Sequence, residues 1–355
     1  MNHKPYTLYI MKKFITNTFV WTLTALASLA WAQEAETPVS ETSNEAEEEA
    51  PSFAFSGTVD TYFRYNFNES QGLKPGTSFA DHPGFAIGMA NLIASYEGEK
   101  VGFVADLVFG PRGADAVFGS TGSSNIVNQL YAYINLSESL TVTLGNFNTF
   151  LGYEVISPAA NFNYSTSYMF SYGPFSHTGI KADWDLGNDW SLMLGLMNPT
   201  DVTESNPVDQ YMTGIQLGYK GQYLNYLAGM GYSQIDYTGG FNLSDAFYLG
   251  INATSASVTD DQGFAGVALY PQLTASESFS IGLRGEFFSE TDGYGALVNT
   301  GDADNLSLTL TGNYTQGNLT LKPEIRLDSA SEEIFVGAES SKSLASFVLA
   351  AVYAF

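Results

Sequence analysis

The sequence predicts an all-β protein, a transmembrane antiparallel up-and-down β-barrel of about 16 strands (14–18). Three observations carry the prediction. Apolar and polar residues alternate with period two through nearly all of the chain after residue 51, the pattern of half-buried strands. Short turns alternate with long polar loops. A turn leading into a two-sided strand also returns along the chain with no helical period between the copies: NLSESLTVTLGNF (135–147), NLSDAFYLGIN (242–252) and, loosely, TASESFSIGLRGEF (274–287).

The chain opens on an address label. Met11-Lys12-Lys13 supplies a positive start, Phe14 to about Ala30 is apolar, and Ala30-Trp31-Ala32 before Gln33 reads as a cleavage site. The expected boundaries are therefore an export signal within 1–32, with translation starting at Met11, an acidic spacer at 33–51 and a barrel at 52–355. The spacer carries Glu34, Glu36, Glu41, Glu45, Glu47, Glu48 and Glu49 with no basic residue, a composition that cannot bury apolar area and predicts disorder.

The strands follow. In the first, Phe53, Phe55, Val59, Phe63, Tyr65 and Phe67 share one face, and Ser56, Thr58, Asp60, Tyr62, Arg64 and Asn66 share the other. In the fourth, Leu130, Ala132 and Ile134 oppose Gln129, Tyr131 and Tyr133. Later, Leu306, Leu308 and Leu310 oppose Ser307, Thr309 and Thr311, and Leu319, Leu321, Ile325 and Leu327 oppose Thr320, Lys322, Glu324, Arg326 and Asp328. Short turns are expected near 97–100, 137–138, 186–189, 220–222, 244–245, 275–277 and 315–318, with a further short connection near Tyr232. Long loops are expected at 68–84, 110–125, 148–176, 199–209, 256–263, 289–304 and 329–343.

Alternation alone fits a soluble sandwich as well as a membrane barrel, because both give a strand two unlike faces. The export signal, the SFVLAAVYAF segment ending at Phe355, and aromatic residues near strand ends (Tyr62, Tyr65, Phe67, Trp184, Trp190, Tyr211, Tyr219, Phe287) favour the barrel. In lipid no sheet edge can stay open, so strands continue until the ring closes.

Composition excludes other classes. Cysteine is absent, only 14% of residues are charged, and the net charge is −24. From Ser52 onward there are 10 basic and 30 acidic residues, so no basic stripe suits nucleic acid. Of the three histidines, His3, His82 and His177, none has a metal-binding or triad-like neighbour, and no GxSxG occurs, which argues against an enzyme. The acidic pairs Asp260-Asp261 and Glu332-Glu333 lack calcium-loop spacing. No cofactor or metal is implied. Asn-x-Ser/Thr sequons such as Asn135-Leu136-Ser137 fall at turns, where those residues serve the backbone.

FSGTVDTYFRYNFN (55–68), NQLYAYINLSESLTVTLGNFNTFLGYE (128–154), NYSTSYMFSYGPFSHTGIKADW (163–184) and the aromatic Phe355 together resemble the beta-barrel porin family of Gram-negative outer membranes. The resemblance implies passive diffusion of small hydrophilic solutes and ions across the outer membrane. It also implies contact with outer-membrane lipid and lipopolysaccharide, handling by the barrel-assembly machinery through Phe355, and a homotrimer as a permitted assembly. By analogy with general porins, loop 148–176 folds into the lumen, with Tyr153, Glu154, Asn161, Asn163, Tyr164, Tyr168 and Tyr172 at the constriction. Register puts Asp60, Arg64, Asp106, Lys181, Asp183, Arg284, Glu286, Lys322, Glu324, Arg326 and Asp328 on the pore-lining face, because a Lys or Arg facing lipid at the midplane costs about 2–4 kcal/mol. Acidic outer loops predict mild cation preference, limited by screening over about 10 Å. The alternative is a non-conducting barrel whose loops bind a ligand or partner.

Overall fold

Sixteen antiparallel strands, each hydrogen-bonded to its neighbours in sequence, close into one ring. The computed structural model describes residues 52–67, 80, 82–258, 261–336 and 339–355. The expected export signal and spacer, most of loop 68–84, and Asp260 lie outside the described residues. The first eight strands are β1 (Ser52–Asn66), β2 (Gly84–Glu97), β3 (Val101–Phe109), β4 (Val127–Ser137), β5 (Leu140–Asn148), β6 (Ser176–Gly187), β7 (Trp190–Met197) and β8 (Met212–Tyr219). They continue as β9 (Gln222–Gly229), β10 (Tyr232–Asn242), β11 (Phe247–Ser257), β12 (Gly263–Ser276), β13 (Phe279–Thr291), β14 (Ala303–Gln316) and β15 (Leu319–Ala330). A small hairpin, β16 (Phe335–Val336) with β17 (Ser340–Ser341), stands outside the ring before β18 (Ser343–Ala354) completes it.

The seam joins β1 to β18 from Thr58↔Ala354 to Asn66↔Ser346. It is fastened by reciprocal backbone bonds of 3.0 Å between Gly57 and Phe355, beside which the Phe55 and Phe355 rings meet at 6.2 Å. No edge remains in the ring, which is what hydrocarbon surroundings demand.

Alternation holds strand by strand. On β14, Leu306, Leu308 and Leu310 are 41–47% exposed, whereas Ser307, Thr309 and Thr311 are fully buried. On β15, Ile325 and Leu327 face outward, and Lys322, Glu324, Arg326 and Asp328 face inward. An outer face of leucine, isoleucine and aromatics around a polar lining is the inverse of a water-soluble sheet, and it reads as lipid contact. Tyr62 follows the polar face on which the register placed it and not the aromatic girdle. It points inward, nearly buried, with its ring 5.6 Å from that of Tyr164.

Two prolines interrupt the ladder on one side only. Pairing of β12 with β13 skips from Leu269↔Gly285 to Gln272↔Gly282 around Pro271. Pairing of β14 with β15 skips from Thr311↔Glu324 to Tyr314↔Leu321 around Pro323. Proline has no N–H to donate, so each gap falls where a ladder bond would have needed one.

Seven short turns share one end of the ring, and the other end carries the long loops together with one two-residue turn at Met230-Gly231, which makes the all-short end periplasmic. The loop between β3 and β4 contains a short helix, Pro111–Ala116. Near the long-loop end the lumen is packed with apolar side chains: Phe264, Phe288 and Ala330 from the wall join Ala296, Leu297, Ile334 and Phe335 from two loops. Glu290 organises one of these loops by accepting the backbone N–H groups of Ala296, Leu297 and Val298 at 2.8, 2.8 and 2.6 Å.

Candidate functional site

The connection between β5 and β6 turns into the barrel and crosses it. Its local fold rests on a short helix, Tyr168–Tyr172, capped by Ser167, whose Oγ accepts the N–H of Phe170 at 3.0 Å. Glu286 on β13 receives the N–H groups of Tyr168 and Met169, both at 2.9 Å, at the start of this helix. A carboxylate satisfies helix-end donors there and complements the helix dipole.

The remaining anchors follow the same logic of wall charge meeting loop backbone. Glu324 accepts from Tyr164 and Ser165 N–H at 2.8 and 3.2 Å. Arg326 donates to the Thr166 carbonyl at 2.7 Å and is itself held by Asp328 at 2.9 Å. Lys322 donates to the carbonyls of Pro158 and Asn161. The Tyr164 hydroxyl donates to Asp60, and Asn163 donates to Thr311 Oγ1 at 2.7 Å. At the centre Glu154 accepts from Arg284 at 2.5 Å and from Ser167 N–H at 2.7 Å, while Arg284 also donates to the Ser165 carbonyl at 2.6 Å. Each side chain of the Arg284–Glu154 pair is at most 3% exposed, so the pair works in a low dielectric where breaking either half is costly.

Of the sequence-derived residues, Glu154, Asn161, Asn163, Tyr164 and Tyr168 from the loop thus meet Asp60, Arg284, Glu286, Lys322, Glu324, Arg326 and Asp328 from the wall. Tyr153 stacks on Tyr270 at 4.2 Å, and Tyr172 lies parallel to Tyr168 at 6.5 Å. Four residues lie elsewhere. Asp106 sits among the amides of Asn91, Asn128 and Gln129; Arg64 binds Asn66 and the Ala80 carbonyl; Lys181 pairs with Asp183 at 2.8 Å.

Sequence reasoning missed Arg112. It reaches inward from its helix to the carbonyls of Ile156 and Tyr164 at 3.2 and 3.3 Å, and nothing in its loop sequence announces that. It also passed over Asp236, which accepts Gly152 N–H at 2.9 Å and the amides of Asn225 and Asn252. Asp236 lies on the polar face of β10, so the alternation that found the other wall charges could have found it. His177 is fully buried against the rings of Phe147 and Phe150. Two wall glycines let the loop lie flush: a Cβ on Gly250 would come within 2.5 Å of the Tyr153 hydroxyl, and one on Gly282 within 2.5 Å of the Phe162 ring.

Beneath the loop, toward the short turns, is a cavity of about 850 Å³ bordered by Tyr153, Gln272, Asn313 and Lys322. A second, of about 320 Å³, lies on the other side of Tyr153 near Gln216 and Tyr248. Loop, wall and cavities together form a barrel narrowed from within.

Solved structures share this architecture. OmpT of Vibrio cholerae, an outer membrane protein in a structure titled as a trimer form, aligns at a TM-score of 0.55 and 12% identity, over 86% of this chain and all of its own. OprB of Pseudomonas putida aligns at 0.56 and 11% identity, over 85% and 94%. A mutant porin of Rh. blastica aligns at 0.50 and 14% identity, over 86% of this chain and all of its own. At such identity the likeness is one of fold. No curated protein matches. The family described as "Putative beta-barrel porin-2, OmpL-like" matches residues 52–355, the whole of the ring, and the chain belongs to that family of outer-membrane porins.

Proposed function

We propose that the inward loop at 149–175 sets the narrowest section of this porin, and that small hydrophilic solutes pass it by passive diffusion. One observation carries the reading: buried ionic and backbone bonds from β1, β13 and β15 hold the loop across the lumen above a cavity of about 850 Å³. A loop fixed this way defines an aperture, because its backbone cannot drift without exposing several buried charges. The pore-lining charges act chiefly as anchors, and selectivity by size is stronger than selectivity by charge. Residues 11–32 serve as the export signal and 33–51 as a spacer. Lipid and lipopolysaccharide surround the apolar outer face, and the assembly machinery engages the strand bearing Phe355. A homotrimer is the assembly this reading permits, supported by the trimer form of OmpT among the structures of like fold.

Purified protein in planar bilayers tests this. Small ohmic steps are expected, with a lower conductance than an open sixteen-stranded ring would give. The apolar packing of Phe264, Phe288 and Phe335 near the long-loop end supports the second reading, a barrel that does not conduct, and persistent silence would establish it.

A further inference from the structure

We infer that the cavity beneath the loop is a binding site for uncharged, polyhydroxylated solutes, sugar-like molecules in particular. This deepens the porin reading and rests on it for the route by which such a solute arrives.

The first ground is charge. The two ionic side chains at the border of this cavity are already engaged: Glu154 by Arg284 and Ser167 N–H, Lys322 by the carbonyls of Pro158 and Asn161. An ion entering here finds no unpaired counter-charge on these two groups, yet it would have to shed water to pass the loop. What remains on the lining is neutral hydrogen-bonding chemistry, with Gln272, Asn313, Ser280 and Thr315 supplying amides and hydroxyls. Amides and hydroxyls donate and accept equally well, which suits a ligand whose groups also do both.

The second ground is an aromatic platform. Tyr153 and Tyr270 both border the cavity and stack at 4.2 Å with an interplanar angle of 23°; Tyr270 is buried, so the half-buried Tyr153 ring supplies the face. A flat π-face beside neutral polar groups accepts the C–H face of a sugar ring while its edge hydroxyls find partners. Third, Asn313 leaves a polar atom waiting. Its Nδ2 donates to the Phe162 carbonyl at 3.1 Å, whereas its Oδ1 is buried without a hydrogen-bond partner. That oxygen has no exposed surface, so a solute hydroxyl completes the amide only once the side chain turns toward the cavity, and it lies where the ladder opens at Pro323. Finally, about 850 Å³ falls within the range of small-molecule sites, roughly 300–1,000 Å³.

The test uses detergent-solubilised full-length barrel and saturation-transfer NMR, with maltotriose as the probe and citrate and spermidine as charged competitors. Maltotriose should receive saturation from the protein, and neither competitor at equal concentration should displace it. Gln272→Leu should weaken binding about tenfold. Absence of maltotriose signal with folded wild-type protein overturns the inference, as does displacement by citrate or spermidine to the same degree as by excess sugar. The wild-type comparison decides even if the Gln272→Leu barrel fails to fold. Planar-bilayer current is recorded on the same preparation. Silence there with intact maltotriose binding sinks the porin reading and leaves the site standing, whereas current without maltotriose binding does the reverse.

Discussion

Replacing Arg284 by methionine keeps most of the side chain's bulk and removes its charge, and the structure indicates what should follow. The guanidinium donates to Glu154, to the carbonyl and hydroxyl of Ser165 and to Thr309, with no solvent exposure. Without it the Glu154 carboxylate stays buried with the Ser167 N–H as its remaining described partner. Stranding one member of a buried ion pair costs about 3–5 kcal/mol. The loop can escape that cost by leaving the lumen, where Glu154 regains water. At about 1.4 kcal/mol per tenfold, the loop-out population rises by roughly two to three and a half orders of magnitude. Single-channel recording reads this directly as time spent at a high-conductance level. The double variant Arg284→Met with Glu154→Gln removes both charges and keeps an acceptor for Ser167, so it should return most of the dwell time to the low level. Equal dwell times in wild type and Arg284→Met would refute the anchoring argument, and so would a double variant as leaky as the single.

Other expectations follow from the same geometry. Leu310→Arg puts a charge on the lipid face at mid-strand and should lower folding stability in bilayers by about 2–4 kcal/mol, measured by urea titration; a change below about 0.5 kcal/mol would contradict lipid contact. Gly282→Val drives a side chain into the Phe162 ring and should cost about 1–3 kcal/mol while altering unitary conductance, checked by heat-shift electrophoresis and bilayer recording. Asp201, in the loop after β7, accepts the N–H groups of Phe175 and Ser176 at 2.8 and 2.9 Å, and burial pushes its carboxyl up to about 6. The folded protein therefore holds that proton more tightly than the unfolded chain, so the associated stability is complete below the ordinary value of 3.8 and is lost as pH rises through about 6. Asp201→Asn keeps the acceptor, and its left-handed backbone (φ 62°) suits asparagine. It should melt higher than wild type at pH 8, by at most about 3 kcal/mol, and equally at pH 4.

The ring was legible because its physics is local. Every strand meets lipid on one side, so Leu306, Leu308 and Leu310 had to alternate with Ser307, Thr309 and Thr311 wherever the chain crossed. Turns such as Gly317-Asn318 announced themselves by composition. The same register found the wall charges on β13 and β15, because Arg284 and Lys322 could not face hydrocarbon. What those charges do was less legible. Their partners are backbone amides and carbonyls of a loop more than 100 residues away in sequence, such as Tyr164 N–H on Glu324, and backbone groups carry no sequence signature. The apolar packing near the long-loop end was hidden for a related reason. Phe287 and Phe288 sit side by side, one facing out and one in, and period-two reading assigns only the first a purpose. Arg112 was hidden likewise, since its inward placement depends on where Tyr164 arrives from across the barrel.

The pairing of β1 with β18 has a consequence for how the molecule is made. The first strand's permanent neighbour is the one synthesised after all the others, with nearly 300 residues between Asn66 and Ser346. Every other pairing joins ring strands adjacent in sequence, so only the closing pair must wait for the last strand. Until then β1 keeps an open backbone edge, and such an edge invites misplaced partners.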